Sequence, residues 1–223
     1  MRLFLASYRF GAFADRFAAL VGPAARIAVI PNACDAWPAA WSAAVTSDLT
    51  PLRQRGYAPE VVDLREFAGQ PAQLERRLRA FDAVWVRGGN TFVLRAQFAR
   101  SGADSVLPTL LREDALAYAG YSAGACLLAP SLRGLETMDD PAEVLPTTGV
   151  EPRWDGLGLV DRRFVVHLDS ATDPEGEAPR LLARYRAEGV AHWALTDDDV
   201  VVVADGRTEV LRGGSAVDGD RIR

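Results

Sequence analysis

Short apolar runs alternate with amphipathic stretches through the first half of the chain. Residues 2–7, 26–30, 61–64 and 81–86 are apolar without a period-two polar face, the pattern of strands buried on both sides. Between them lie helical patterns over 10–21, where Phe10, Phe13, Phe17 and Leu20 share a face, over 37–55, and around 74–78. Gly22-Pro23 and Pro31-Asn32 punctuate the runs. Asn90 or Thr91 can cap a helix running to Arg100, and a further helix covers 104–113. This alternation predicts an α/β fold: a three-layer, open, mostly parallel sheet with helices on both faces.

The second half is less regular. Residues 135–161 carry prolines, glycines and acids without a clear period and read as loops over the sheet edge. Residues 163–167 and 191–195 read as strands, with a helix over 178–187 between them. A C-terminal β-hairpin is expected from 200–204 and 208–211 about Asp205-Gly206. Nothing resembles a linker, so residues 1–223 are expected to form a single domain.

One stretch concentrates chemistry. Tyr118 to Leu128 reads as strand, sharp turn and helix around Gly120-Tyr121-Ser122-Ala123-Gly124. Small residues on both sides of the serine permit a corner that projects its hydroxyl and frees the next backbone N–H, that of Ala123, for an oxyanion. Read more plainly, Ser122 is a helix cap in a glycine-rich turn. Arg87-Gly88-Gly89-Asn90 ends the fourth strand, where two glycines leave backbone N–H groups unshielded for a second oxyanion donor or a carboxylate.

Composition removes alternatives. All 25 basic residues are arginine, so lysine-based nucleophiles, bases and P-loops are excluded. The net charge of −5 argues against nucleic acid or an anionic membrane as main partner. A small peptide or other small molecule is expected instead, with no metal or cofactor, and the chain can be a monomer or a homodimer. Cys34 and Cys126 are too few for a metal or disulfide framework and read as packing residues of a reducing, cytoplasmic compartment.

A serine nucleophile needs a base, and the histidines are His167 and His192. His167 ends a strand, the edge where α/β sites form, whereas His192 opens one. The carboxylate that orients the base is best supplied by Asp197, which also follows a strand; Asp198, Asp199 and Asp169 are alternatives. Among acids on the loop after the elbow, Glu136, Asp139 and Asp140 are candidates to bind a substrate ammonium, with Asp139 favoured.

Four stretches together resemble the serine peptidases that include α-aspartyl dipeptidase (peptidase E) and cyanophycinase. They are Gly88-Gly89-Asn90-Thr91-Phe92, the elbow Gly120 to Ala125, the segment from His167 through Pro174-Glu175-Gly176, and Ala194-Leu195-Thr196-Asp197. The resemblance implies a fold like that of class I glutamine amidotransferases and a Ser122-His167-acid triad. It also implies an oxyanion hole from the Gly88-Gly89 turn and Ala123, and substrate contacts from Asn90, Asp139 and Arg180. The expected activity is a serine exopeptidase acting on dipeptides or short peptides. A cyanophycinase-like or other amidase, or a silent amino-acid-binding protein, is the alternative. The family's acid is often glutamate, where this chain has Asp197, and the segment after Pro-Glu-Gly is shorter, so strict Asp-X specificity does not carry over.

Overall fold

The computed structural model describes residues 1–214 except Thr172; the last nine residues of the expected domain lie outside this range. Seven strands form one sheet in the order β3-β2-β4-β5-β1-β8-β9. Strands β1 (Leu3–Ala6), β2 (Arg26–Ile30), β3 (Ala58–Val61), β4 (Ala83–Val86) and β5 (Ala117–Tyr121) are mutually parallel. β8 (Val200–Ala204) runs antiparallel to β1 and turns back into β9 (Arg207–Leu211).

The alternation of side chains explains why the central strands carry no polar face. Leu3, Leu5, Ala28, Ile30, Val84, Val86 and Tyr118 enter one core, and Phe4, Ala6, Ile27, Val29, Trp85, Ala119 and Tyr121 the other. The second core is closed by Phe17 and Val21 of α1 (Ala14–Val21) and Leu52 of α2 (Pro38–Gln54). The first is closed by α3 (Pro71–Leu78), α4 (Thr91–Ser101), α5 (Ala103–Arg112), α6 (Ala123–Cys126), α7 (Val144–Thr148) and α8 (Glu177–Ala187).

Three differences from the sequence reading have physical causes. The third strand is Ala58–Val61, and Leu64–Phe67 is a 3-10 turn because the Asp63 carboxylate accepts the Arg65 N–H and caps it. Pro59 is tolerated there because β3 is an edge strand. β6 (Arg163–Val165) and β7 (His192–Ala194) do not join the main sheet; they pair with each other in a separate parallel ribbon. The stretch 135–161 is not wholly irregular, since Leu135–Thr137, Pro141–Glu143 and α7 are helical turns. Among the described residues no helix is long and apolar enough to cross a membrane.

Candidate active site

The corner after β5 is as tight as its glycines imply. Ser122 has φ 51° and ψ −117°, a conformation non-glycine residues rarely adopt and which costs on the order of 1–3 kcal/mol. A Cβ at Gly120 would lie 2.5 Å from the Gly124 carbonyl oxygen, and one at Gly124 would lie 2.2 Å from that of Val86. Only hydrogen fits at either position, so the corner can pack onto β4. The Ser122 carbonyl accepts the N–H groups of Ala125 and Cys126, which starts α6. The Ala123 N–H, at the head of α6, has no acceptor among the described residues.

His167 Nε2 lies 2.9 Å from Ser122 Oγ, and His167 Nδ1 lies 2.7 Å from Asp197 Oδ1. The carboxylate therefore holds the proton on Nδ1 and leaves Nε2 to accept from the serine hydroxyl. These residues arrive from three places in the fold. Ser122 follows β5. His167 lies two residues beyond β6, in a left-handed conformation at φ 60°. Asp197 sits between β7 and β8, and because β8 is antiparallel to β1 its start lies where β1 ends.

Asp197 is anchored on both oxygens. Ser7 Oγ donates to Oδ1 at 3.1 Å and Ser170 Oγ donates to Oδ2. Partial burial acts to raise its pKa, but the bonds from His167, Ser170 and Ser7 outweigh it and hold the carboxyl below its ordinary range. Its neighbours do other work: Asp199 is buried and accepts the Thr196 and Gly213 N–H groups and Arg212, while Asp198 and Asp169 are exposed.

The Gly88-Gly89 turn crosses directly beside the serine. A Cβ at Gly88 would come within 2.9 Å of the Ser122 Cβ, and Gly89, at φ 144°, would place one 2.6 Å from the Ala33 carbonyl oxygen. The Gly88 and Gly89 N–H groups have no acceptor among the described residues. A cavity of about 450 Å³ opens over Gly89, Ser122, Ala123 and His167. Its wall is acidic, with Asp139, Asp173, Glu175 and Glu177, and is completed by Trp37, Cys126, Leu135 and Met138.

Asp139 faces this cavity, with Oδ2 accepting both the N–H and the hydroxyl of Thr91 at the start of α4. Burial raises its carboxyl to about 6 in spite of those bonds. Two other expected substrate contacts are placed elsewhere. Asn90 is buried as the N-cap of α4: its Oδ1 accepts the Phe92 and Val93 N–H groups, and its Nδ2 donates to the Asp140 carbonyl and Glu143. That saturates the side chain, so capping is what it does. Arg180 is exposed on α8, paired with Glu177, and does not line the cavity. His192 is held by the Val190 carbonyl at 2.6 Å, its ring lies tilted against that of Tyr185, and it does not line the cavity. Glu136 pairs with Arg184, and Asp140 caps the turn Pro141–Glu143. Cys126 and Cys34 are buried, and burial raises both thiols above their ordinary range.

Sequence reasoning missed Ser7 and Ser170, which hold the acid, and Tyr8, whose ring meets that of His167 edge-on at 6.5 Å. Isolated serines carry no local pattern. The only available signal was that Ser7 ends the first strand, at the same edge as the elbow.

A sequence profile of Peptidase family S51 matches residues 5–211, and the chain belongs to that family. It is similar to peptidase E of Streptomyces coelicolor, with 35% identity over 150 residues, covering 65% of this chain and 52% of that protein. An uncharacterized peptidase of Listeria monocytogenes is 33% identical over 98 residues, covering 44% of this chain and 45% of that protein. The chain thus spans about half the length of the curated relatives it matches. The fold is similar to that in a crystal structure described as a candidate peptidase E protein from Listeria monocytogenes, with TM-score 0.79, 22% identity, and 95% and 98% of the two chains covered.

Proposed function

We propose that this chain is a serine exopeptidase of the peptidase E type, which hydrolyses dipeptides or short peptides from a free N-terminus through Ser122, His167 and Asp197. The observation that carries this reading is the unbroken relay from Asp197 Oδ1 through both imidazole nitrogens to Ser122 Oγ, at 2.7 and 2.9 Å. Ser122 Oγ attacks the scissile carbonyl while His167 Nε2 takes its proton. The negative charge that develops on the carbonyl oxygen is met by the Ala123 N–H and by that of Gly89. His167 then returns the proton to the departing amine, and water cleaves the acyl-enzyme by the same steps in reverse order. Asp197 stabilises the imidazolium formed in each half.

The acidic cavity supports recognition of an N-terminal ammonium, with Asp139 as its partner. Mass analysis after treatment with a fluorophosphonate tests the nucleophile, and a panel of dipeptides with free and acetylated N-termini tests the exopeptidase assignment. No adduct on Ser122 defeats the serine mechanism. Blocked peptides cleaved as fast as free ones would make the enzyme a general amidase.

A further inference from the structure

A second, smaller cavity meets the first at the nucleophile. Trp37, Gly89, Ser122 and His167 line both, so the catalytic pair stands on the wall between them. The smaller one, of about 260 Å³, is otherwise built from Tyr8, Arg9, Cys34, Arg87, Gly88 and Tyr121 together with two alanines of α2. Ligand pockets for drug-sized molecules occupy roughly 300–1,000 Å³, so this one suits a single amino-acid residue.

The two cavities have opposite electrical character. Four carboxylate residues and no arginine line the larger; two arginines and no carboxylate line the smaller. Arg87 is already neutralised, since its Nη1 contacts the buried Asp48 carboxylate at 2.6 Å and also reaches Ser47 and the Tyr121 hydroxyl. Arg9 is not: among the described residues it has no ion-pair partner, and its Nε is buried with no hydrogen-bond acceptor. Its backbone is held in a left-handed conformation at φ 49°, in a turn closed by the Gly11 N–H on the Tyr8 carbonyl and tied by the Ala12 N–H to Asp198, next to the triad acid. A guanidinium that lines a cavity without a carboxylate partner is open to one, and its fork matches a carboxylate with two parallel N–H bonds.

We propose that the smaller cavity holds the leaving side of the substrate and that Arg9 is a specificity residue pairing with the free C-terminal carboxylate of the departing amino acid. A dipeptide zwitterion then lies along the field of the cleft, ammonium toward the acids and carboxylate toward Arg9, with its single peptide bond at Ser122. The inference rests on the serine-peptidase reading above and deepens it: the preferred substrate is a dipeptide with both ends free.

The test compares Xaa-Leu dipeptides with the matching Xaa-Leu amides on the full chain, after fluorophosphonate titration of Ser122. The parent should favour the free acids about 10- to 100-fold in kcat/KM, the worth of a charge-assisted hydrogen bond, mostly through KM. In Arg9→Gln the preference should fall to within about threefold, and Arg9→Lys should restore part of it because it keeps the charge but not the fork. Thermal melts establish that both variants fold; should Arg9→Gln not fold, Arg9→Lys and the parent's own acid-to-amide ratio decide. Labelled Ser122 with no acid preference in the parent, or a preference that survives in Arg9→Gln, overturns the role of Arg9 alone. An unlabelled Ser122 overturns the serine-peptidase reading and this inference with it.

Discussion

Ser7 donates its hydroxyl proton to Asp197 across 190 residues of sequence, and the same oxygen accepts the backbone N–H of His167 at 2.7 Å. One buried hydroxyl at the end of β1 therefore positions both the acid and the base of the proposed triad. The parallel sheet makes this possible, because β1 and β5 lie side by side and deliver Ser7 and Ser122 to the same edge.

Ser7→Ala should consequently act as a loss of positioning rather than of chemistry. It removes a hydrogen bond to a charged group, worth about 1.5–3 kcal/mol, so kcat should fall roughly 10- to 100-fold with KM nearly unchanged. The stranded His167 N–H should also lower the melting temperature. A variant as active as the parent would show that the contact is incidental.

Ser122→Ala and His167→Ala should each reduce hydrolysis by about 10⁴-fold or more, and the double variant should be no worse than either, because the residues act as one unit. His192→Ala should stay within a few-fold of the parent, its imidazole being committed to the Val190 carbonyl. Steady-state rates of the four variants and the parent on one free dipeptide decide this, and strict additivity in the double variant would break the relay.

How much of this arrangement was legible depended on whether the determinant was local. The central strands announced themselves because burial on both faces removes polar positions, and the elbow because its glycines are forced by close approach, Gly124 to Val86 of β4 and Gly120 to the Gly124 carbonyl. The edge strand was misplaced by a few residues because Val61-Val62-Asp63-Leu64 looks more strand-like than a segment containing Pro59, and an edge tolerates what a central strand cannot. That β6 and β7 pair apart from the main sheet is a non-local choice, invisible in either run. Asp197, Asp198 and Asp199 are chemically identical neighbours; the turn alone directs one to His167, one to solvent and one to Arg212. Asn90 was legible as a helix cap, and the fold uses it as one.

Gly89→Ala should combine two losses. The added methyl meets the Ala33 carbonyl at 2.6 Å in a conformation at φ 144°, so the turn must shift and the melting temperature should drop. At a temperature where the variant remains folded, displacement of an oxyanion donor should lower kcat by about 10²- to 10³-fold with a smaller effect on KM. A change confined to KM would instead make the turn a substrate-binding loop.

Asp139 links stability, pH and end-group selectivity. Its carboxyl is raised by burial to about 6 from an ordinary value near 4. Between those values the unfolded chain releases the proton first, so folding loses stability as pH rises through the window. Asp139→Asn, neutral throughout, should melt like the parent below about pH 4 and be more stable above about pH 6, by on the order of 1–3 kcal/mol. Activity should move the other way. If the ionised carboxylate binds the substrate ammonium, kcat/KM for free dipeptides should fall as pH drops through about 6 and should exceed that for acetylated ones by roughly 30- to 1,000-fold at pH 8. A limb belonging to the triad is common to both substrates, whereas the Asp139 limb should appear only with free N-termini and vanish in Asp139→Asn. Identical pH profiles for free and acetylated peptides would place the ammonium site elsewhere in the acidic wall, even if the stability of Asp139→Asn behaves as expected.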